Sequence, residues 1–428
     1  MKTLSTALSL AFAYLRERPL ATLLNILLLG LGVGTIIALA LTLSQLEEGM
    51  DRDAAGIDLV IGAKGSPLQL VLSTVFQIDI PTGNILMSDA APVIASPMVK
   101  QAIPLALGDS YKTFRIVGTS PAYVQLYSAS LQTGRMWSAP QEVVIGAEVA
   151  RVTGLVAGNI FAGSHGLTEG GGGHADHPYT VVGILKPTGA VIDRVMLTAV
   201  ESVWKVHEHT DVGAVSAVTS KLAKGHDKNH RKDHDKSHPH TGGDKGEGKE
   251  ITAYLIQYVT PLAAASFPRR VNAGSAMQAA APALEVARLF SLLGVALTAL
   301  KVFALVMMLC AAMGIFIGLT NALDERRADL ALLRLLGASP ATVFLTVLAQ
   351  GIALGVTGVI LGVMIGHAGT EWIGASLEKT HRIALTGFTL IREEFWIAAG
   401  AMGLALLAGV FPAWRAYRSA VPELLSRA

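Results

Sequence analysis

Four apolar blocks punctuate the chain, at residues 20–46, 286–322, 341–370 and 395–414. A bilayer core about 30 Å thick is crossed by roughly 20 apolar residues in a helix, so each block predicts one transmembrane helix. Between Leu20 and Leu46 no residue is charged. Gln45, Glu47 and Glu48 follow where a cleaved signal would need a small-residue box, so the block reads as a retained span. Around the second block the helical pattern starts earlier, near Pro282, and runs to Leu323. A helix of that length reaches about 60 Å, roughly twice the hydrocarbon thickness. The excess, around Ala283–Leu297, is expected to leave the membrane as a stalk. Lys301 is the one charge from Leu289 to Leu323. It falls near the outer boundary, where it either snorkels or serves as a functional intramembrane charge.

Basic residues give the sidedness. Lys2, Arg16 and Arg18 precede the first span, Arg326, Arg327 and Arg334 lie between the second and third, and Arg415, Arg418 and Arg427 follow the fourth. With four spans all three groups share one face, which the positive-inside rule makes cytoplasmic. Residues 1–19 are then a cytoplasmic amphipathic segment, 323–340 a cytoplasmic helix, 371–394 a short outer loop and 415–428 a cytoplasmic tail. Residues 47–285 lie outside.

That outer segment changes texture, to short β-rich runs separated by Gly, Pro and Ser. Candidate strands are Ile57–Ile61, Phe114–Val117, Glu142–Ile145, Tyr179–Ile184 and Ile251–Tyr258, with helical patches such as Ala147–Gly154 between them. Strands and long helices do not alternate regularly, which favours α+β over a doubly wound sheet. The expected fold is an α-helical membrane protein with four transmembrane helices and a large α+β extracytoplasmic domain inserted between the first and second. Within it, Gly62–Asn84 reads GAKGSPLQLVLSTVFQIDIPTGN. Its apolar Leu68–Phe76 is either core or a hydrophobic surface for a lipidated or protein partner.

Two insertions interrupt the outer domain. Ser164–Pro178 carries His165, His174 and His177. At about 221–250, His226, His230, His234 and His238 recur every fourth residue and His240 follows. This second tract has almost nothing apolar and is expected to be disordered. Neutral imidazoles suit Zn²⁺, Ni²⁺ and Cu²⁺, and four-residue spacing aligns them on one face of a helix. The tract is therefore either a loose divalent-metal binder, with Zn²⁺ the candidate ion, or a solvated spacer. No HExxH occurs, since His207-Glu208-His209 lacks the spacing.

Composition agrees with the spans. Of 428 residues 51% are hydrophobic and 15% charged, against about 25% charged in soluble chains. The net charge of +2 selects no partner, and nothing points to nucleic acid. With Cys310 as its single cysteine, the chain has no intrachain disulfide. Gly243–Lys249, GDKGEGK, imitates a phosphate-binding loop, but Glu250 stands where Ser or Thr is needed and no hydrophobic strand leads in. The chain contains no other loop of this type, so any ATP chemistry would have to come from a partner.

The segment after the second span reads ALDERRADLALLRLLGASPATVF, Ala322–Phe344. Leu330, Leu333 and Leu336 fall at helical spacing, Gly337 is a helix stop, and Ser339-Pro340 opens the next helix. In order and type, Glu325, Arg326, Arg327, Leu330, Ala331, Leu332, Arg334, Gly337, Ala338 and Ser339 resemble the FtsX-like permease family, with Asp329 where a Glu is usual. The ending Pro412-Ala413-Trp414-Arg415-Ala416, then Arg418 and Pro422-Glu423, is similar to that family's C-terminus. EVVIGAEVARVTGLVAGNIF and YTVVGILKPTGAVIDRVML resemble the repeat of MacB-type periplasmic domains.

The resemblance implies a type VII ABC transporter in the bacterial inner membrane, with both termini cytoplasmic and the large domain periplasmic. Two copies of this permease would work with two copies of a separate cytoplasmic ATPase. Glu325, Arg326, Arg327, Leu330, Arg334 and Gly337 would form the coupling helix docked on that ATPase. Its closure would reach the outer domain through the first two spans, a process called mechanotransmission. The chain itself would hold no catalytic residue and bind no cofactor directly; ATP and Mg²⁺ belong to the ATPase. A periplasmic or lipoprotein partner and membrane lipid complete the expected contacts. Gly30 and Gly34 in the first span, and Gly351 and Gly355 in the third, are candidates for close helix packing, within one copy or between two. Export or extraction of a periplasmic or lipidic substrate, linked to zinc through the histidines, is the leading function. The alternative is a metal-sensing module that controls a periplasmic partner without transport. A plain metal buffer would leave the coupling motif unexplained.

Overall fold

Helix α1 (Lys2–Glu17) ends at Arg18, and Pro19, suited to a first helical turn, opens α2 (Pro19–Ala54). The computed structural model describes residues 2–164, 177–207, 248–325, 332, 335, 339–381 and 385–418. Contacts divide the chain into a unit of Glu48–Phe290 and a unit made of Met1–Glu47 with Ser291–Ala428.

The first unit is built on β1 (Leu59–Ala63), β2 (Ile85–Leu86), β3 (Val99–Tyr111), β4 (Phe114–Thr119), β5 (Leu131–Gly134) and β6 (Glu142–Ile145). It continues with β7 (Ile160–Phe161), β8 (Tyr179–Leu185), β9 (Val195–Ala199), β10 (Glu250–Ile251), β11 (Ala253–Tyr258) and β12 (Met277–Ala280). Its helices are α3 (Pro67–Thr74), α4 (Met87–Ile94), α5 (Ala122–Leu126), α6 (Ala147–Thr153), α7 (Val200–His207) and α8 (Ala263–Gly274). The main sheet runs β12-β1-β11-β3-β4-β9-β6-β8-β5, with β7 also on β8, while β10 and β2 pair separately. Pairs β4/β9 and β6/β8 are parallel and the others antiparallel. A mixed sheet with short helices is the α+β arrangement expected from the sequence.

Alternation places the core. Along β8 the residues Tyr179, Val181, Gly183 and Leu185 are buried and those between are half-buried, as the two-residue period of a strand requires. Two apolar clusters result. Leu59, Ile61, Tyr254 and Ile256 pack with Phe267 and Val271 of α8. Phe114, Ile116, Val143 and Ile145 pack with Phe161, Tyr179 and Met196.

Of the five strands foreseen, Glu142–Ile145 occurs with the same ends, three occur with shifted ends, and the fifth is split. Thr252 interrupts Ile251–Tyr258 because its N–H donates to Leu105 O at 2.8 Å and its hydroxyl accepts from Leu107 N at 2.9 Å. The long β3 was not foreseen. Pro104 lies inside it and reads in sequence as a strand breaker, yet its carbonyl accepts from Thr119 Oγ1 at 2.8 Å. The edge at β12 is closed by side chains rather than by another strand. Asn272 mimics a neighbouring strand on Ala279, accepting from its N–H at 2.6 Å and donating to its carbonyl at 3.2 Å. Such cover removes a pairing edge.

The last turn of α2 belongs to this unit and is fixed by a buried ion pair. Arg194 Nη2 donates to Asp53 Oδ2 at 2.6 Å, and Tyr127 Oη donates to Asp53 O at 2.7 Å. Asp53 is 5% exposed. Burial raises its carboxyl above the ordinary range even though Arg194 pulls the other way.

In the other unit, α9 (Pro282–Glu325) is one unbroken helix of 44 residues, about 66 Å long. Helix α10 (Pro340–His381) and α11 (Arg392–Arg418) complete the set. Helices α2, α9, α10 and α11 are long and apolar enough to cross a membrane. The expected loop at 371–394 needs correction: α10 runs on through Glu371–His381, so its first half is helical. No proline interrupts that stretch, and at Gly374, where a Cβ would lie 2.2 Å from Leu385 O, the absence of a side chain allows the close approach.

Replacing Asp53 alone should leave the mostly buried guanidinium of Arg194 without its partner. Asp53→Ala is expected to cost about 3 kcal/mol in urea unfolding of the purified chain. The double change Asp53→Leu with Arg194→Met should recover most of that loss. Equal destabilisation by the single and double variants would rule out the pair as the anchor.

Candidate functional site

The packing glycines fall on two separate seams. On α2, Gly30 and Gly34 face α10. A Cβ on Gly34 would lie 2.8 Å from Ile365 Cγ2 and 3.0 Å from Gly362 O. From the other side, a Cβ on Gly362 would lie 2.6 Å from Val33 Cβ and 3.0 Å from Gly30 O. The two backbones therefore touch, which only glycine allows. Gly32, about 200° round the helix from either neighbour, faces α9 instead, with Met308 Cγ 2.7 Å from its would-be Cβ. Helix α2 is thus held between α9 and α10. Gly351 and Gly355 lie on the second seam, against Gly409 and Ala405 of α11.

At one end of this unit, charged side chains join the helix termini. Glu325, the last residue of α9, pairs with Arg18 at the α1–α2 junction, and Asp324 approaches Arg415 of α11 at 3.5 Å. These side chains are 38–59% exposed, so the pairs contribute little stability and serve position more than strength. Ser339 Oγ accepts from Thr342 N at 3.3 Å, with Pro340 beginning α10. Of the expected coupling residues, Glu325 is placed; Arg326, Arg327, Leu330, Arg334 and Gly337 lie outside the described residues. Leu332 and Leu335, three apart, are helical and expose 57% and 63% of their surface.

The opposite end carries a polar cluster that sequence reading missed. Gln45 of α2 reads both sides of Thr386, donating to its carbonyl at 2.8 Å and accepting from its N–H at 2.9 Å. Glu371 of α10 accepts from Gly387 N at 2.7 Å. Glu394 of α11 accepts from Ile391 N at 3.0 Å and lies 3.1 Å from His367 Nε2. His367 Nδ1 contacts Gly387 O. A carbonyl only accepts, so Nδ1 carries a hydrogen, and the Nε2–carboxyl contact needs one further proton on the ring or the acid. Three helices and the 385–391 connection are thereby tied together. The signal available in sequence was three polar residues, His367, Glu371 and Glu394, at the border of apolar blocks, while Gln45 and Thr386, which join them, are 341 positions apart.

His174, His226, His230, His234, His238 and His240 lie outside the described residues. His177 is described and half-buried. Among the described residues no group of three or more His, Cys, Asp or Glu side chains could hold a metal ion.

The seam makes a paired expectation. Gly362→Leu forces a side chain into backbone contact and should destabilise by at least about 1–3 kcal/mol. Gly351→Ala, whose Cβ would meet its nearest atom at 3.4 Å, should change stability by less than about 1 kcal/mol. Thermal unfolding of the purified chain in one detergent compares them; similar losses would contradict the seam.

Two family models match consecutive parts of the chain: the MacB-like periplasmic core domain at residues 22–228 and the FtsX-like permease C-terminal at residues 301–421. Among curated proteins, the "Lipoprotein-releasing system transmembrane protein LolC" of Xylella fastidiosa, from strains Temecula1 and 9a5c, is 28% identical over 159 residues. That match covers 33% of this chain and 38% of each relative, so the chain spans little more than a third of their length. Among solved structures, the periplasmic region of MacB from Actinobacillus actinomycetemcomitans is similar over 57% of this chain and 97% of its own, at 12% identity and a TM-score of 0.33. The extracellular domain of the ABC-type transporter YknZ from Gram-positive bacteria is similar over 52% and 98%, at 13% identity and a TM-score of 0.27. With four apolar helices, a mixed-sheet unit and both halves of the family pattern in order, this chain belongs to the FtsX-like, MacB-type family of ABC transporter permeases.

Proposed function

We propose that the chain is the membrane subunit of a type VII ABC transporter that couples ATP hydrolysis by a separate cytoplasmic ATPase to motion of the 48–290 unit. The observation that carries this is the order of the two matched models, a periplasmic core at 22–228 followed by a permease end at 301–421. Basic residues assign the Glu325 end to the cytoplasm and the 48–290 unit to the periplasm. Two permease copies and two ATPase copies make the working complex.

In this reading the segment after Glu325 docks on the ATPase. The ion pairs Arg18–Glu325 and Asp324–Arg415 hold the helix ends in register there. The exposed Leu332 and Leu335 supply apolar surface for the contact. Helices α2 and α9 both contribute residues to each unit, so movement at the ATPase reaches the outer unit along continuous helix. The substrate proposed is a lipidated or amphiphilic molecule taken from the outer leaflet, a reading supported by the lipoprotein-releasing relatives. The zinc link is a further proposal and rests on the spacing of His226, His230, His234 and His238 alone; it favours a metal-sensing module as the alternative reading.

Reconstitution in nanodiscs with a candidate partner ABC ATPase from the same organism tests the coupling. Arg334→Glu with Glu325→Lys should lower ATPase binding at least about tenfold, about 1.4 kcal/mol, while the melting temperature of the chain stays unchanged. Full binding and full ATPase activity in the double variant would refute the assignment of this segment.

A further inference from the structure

Where β12 passes into α9, the 48–290 unit holds a cleft of about 670 Å³. Helix α8, the edge strand β12 and the first turn of α9 form its sides, and Ala264, Pro268 and Leu284 give it an apolar wall. That volume lies within the range of roughly 300–1,000 Å³ typical of small-molecule sites. Such sites combine apolar walls with a few polar groups that fix orientation. The polar lining therefore decides what the cleft takes.

Two polar groups of that lining are left unpaired. Tyr258 is 9% exposed, and among the described residues its buried hydroxyl has no hydrogen-bond partner; the same holds for the buried Oε2 of Glu285. Buried polar atoms are nearly always paired, and one left unpaired costs free energy. The neighbouring amides are committed elsewhere: Asn272 and Gln278 bond to one another and to Ala279 along the β12 edge. Asp58, exposed on the same cleft, has one carboxylate oxygen taken by Tyr258 N at 2.7 Å. Arg269 also lines the cleft but is exposed, and among the described residues it pairs with neither carboxylate. Water and salt screen its charge more than that of the half-buried Glu285. Burial, with Asp58 adding to it, raises the Tyr258 phenol to about 12, so it keeps its proton at neutral pH.

The unpaired groups define the ligand. An ionised carboxylate accepts and cannot donate, whereas an ammonium has three donors and no acceptor. Asp58 and Glu285 against Arg269 give the lining an excess of negative charge. An anion would meet two carboxylates and a single, exposed guanidinium. A wholly apolar molecule would cover the walls and leave both buried polar atoms unpaired, at a cost. We propose that this cleft binds a small primary amine with an apolar body, its ammonium on Glu285, its apolar part against the α8 wall and the Tyr258 hydroxyl as a second hydrogen-bonding contact. A charge-assisted hydrogen bond is about twice as strong as a neutral one, so Glu285 carries the larger share of the affinity. Binding at this cleft does not require the ATPase.

The test titrates the full-length chain, in nanodiscs of neutral lipid, with para-(trifluoromethyl)benzylamine followed by fluorine NMR; empty nanodiscs correct for partition into lipid. Saturable binding is expected, weakened about tenfold by Glu285→Gln and at least about threefold by Tyr258→Phe. Both variants should melt with the wild type, since each removes an unpaired group rather than a contact. Ala264→Leu, which fills the cleft from an exposed position of its wall, should abolish binding. Glu201→Gln, at an exposed acid of α7 outside the cleft, should bind as the wild type does. The corresponding benzyl alcohol and benzoate should bind at least about tenfold more weakly than the amine. If Glu285→Gln melts early, Tyr258→Phe and Ala264→Leu decide the question. No saturation above empty nanodiscs, equal affinity for the alcohol, or undiminished binding by the folded cleft variants would each overturn the proposal.

Discussion

Glycine lets two membrane helices touch backbone to backbone in this chain, and the rest of the membrane unit is arranged around that contact. Lipid is as apolar as leucine, so no hydrophobic force drives helices together within it; close packing must do so. Gly30 and Gly34 bring α2 against Gly358, Gly362 and Gly366 of α10. Two residues on, the same helix accepts Met308 of α9 over Gly32. With α2 fixed on both sides, its Gln45 end falls beside Thr386, and the Arg18 end falls beside Glu325. The polar ties at the two ends are consequences of the seam between them.

A different constraint governs the 48–290 unit, where water competes for every polar group. There two buried charged side chains are paired across long sequence distances, Arg115 with the carbonyls of Ser73 and Asp79, and Asp53 with Arg194. Asp53 sits in the final turn of a helix whose other turns belong to the membrane unit. That final turn is held firmly, by an ion pair 2.6 Å long and by the Tyr127 hydroxyl on the Asp53 carbonyl.

Features set by local pattern were legible in the sequence. Apolar blocks gave the four long helices, and β-branched runs gave Glu142–Ile145 with its ends correct. Ends were misjudged where tertiary contact overrides composition. Helix α10 continues past residue 370, and Thr252 breaks a strand because Leu105 and Leu107 claim its hydrogen bonds. Gly30 and Gly34 were readable as packing residues from spacing, but not their partner helix, since a stripe of small residues does not say which neighbour fills it. The His367–Glu394–Gln45 cluster was out of reach, because it joins residues from three helices that only folding brings together. The run Leu68–Phe76 could not be assigned to core or surface from sequence; the structure buries Leu70, Val71, Val75 and Phe76 and exposes the isoleucines just beyond them.

The central claim is that nucleotide chemistry on a partner moves the 48–290 unit. Spin labels at Lys186→Cys, in a Cys310→Ser background, report the distance between these units in two copies of the assembled complex by pulsed electron resonance. The account predicts a different distance distribution in the vanadate-trapped state than in the nucleotide-free state, and loss of that difference when the Glu325–Arg334 segment is disabled. The same distribution in both states, in a complex that hydrolyses ATP, would contradict it.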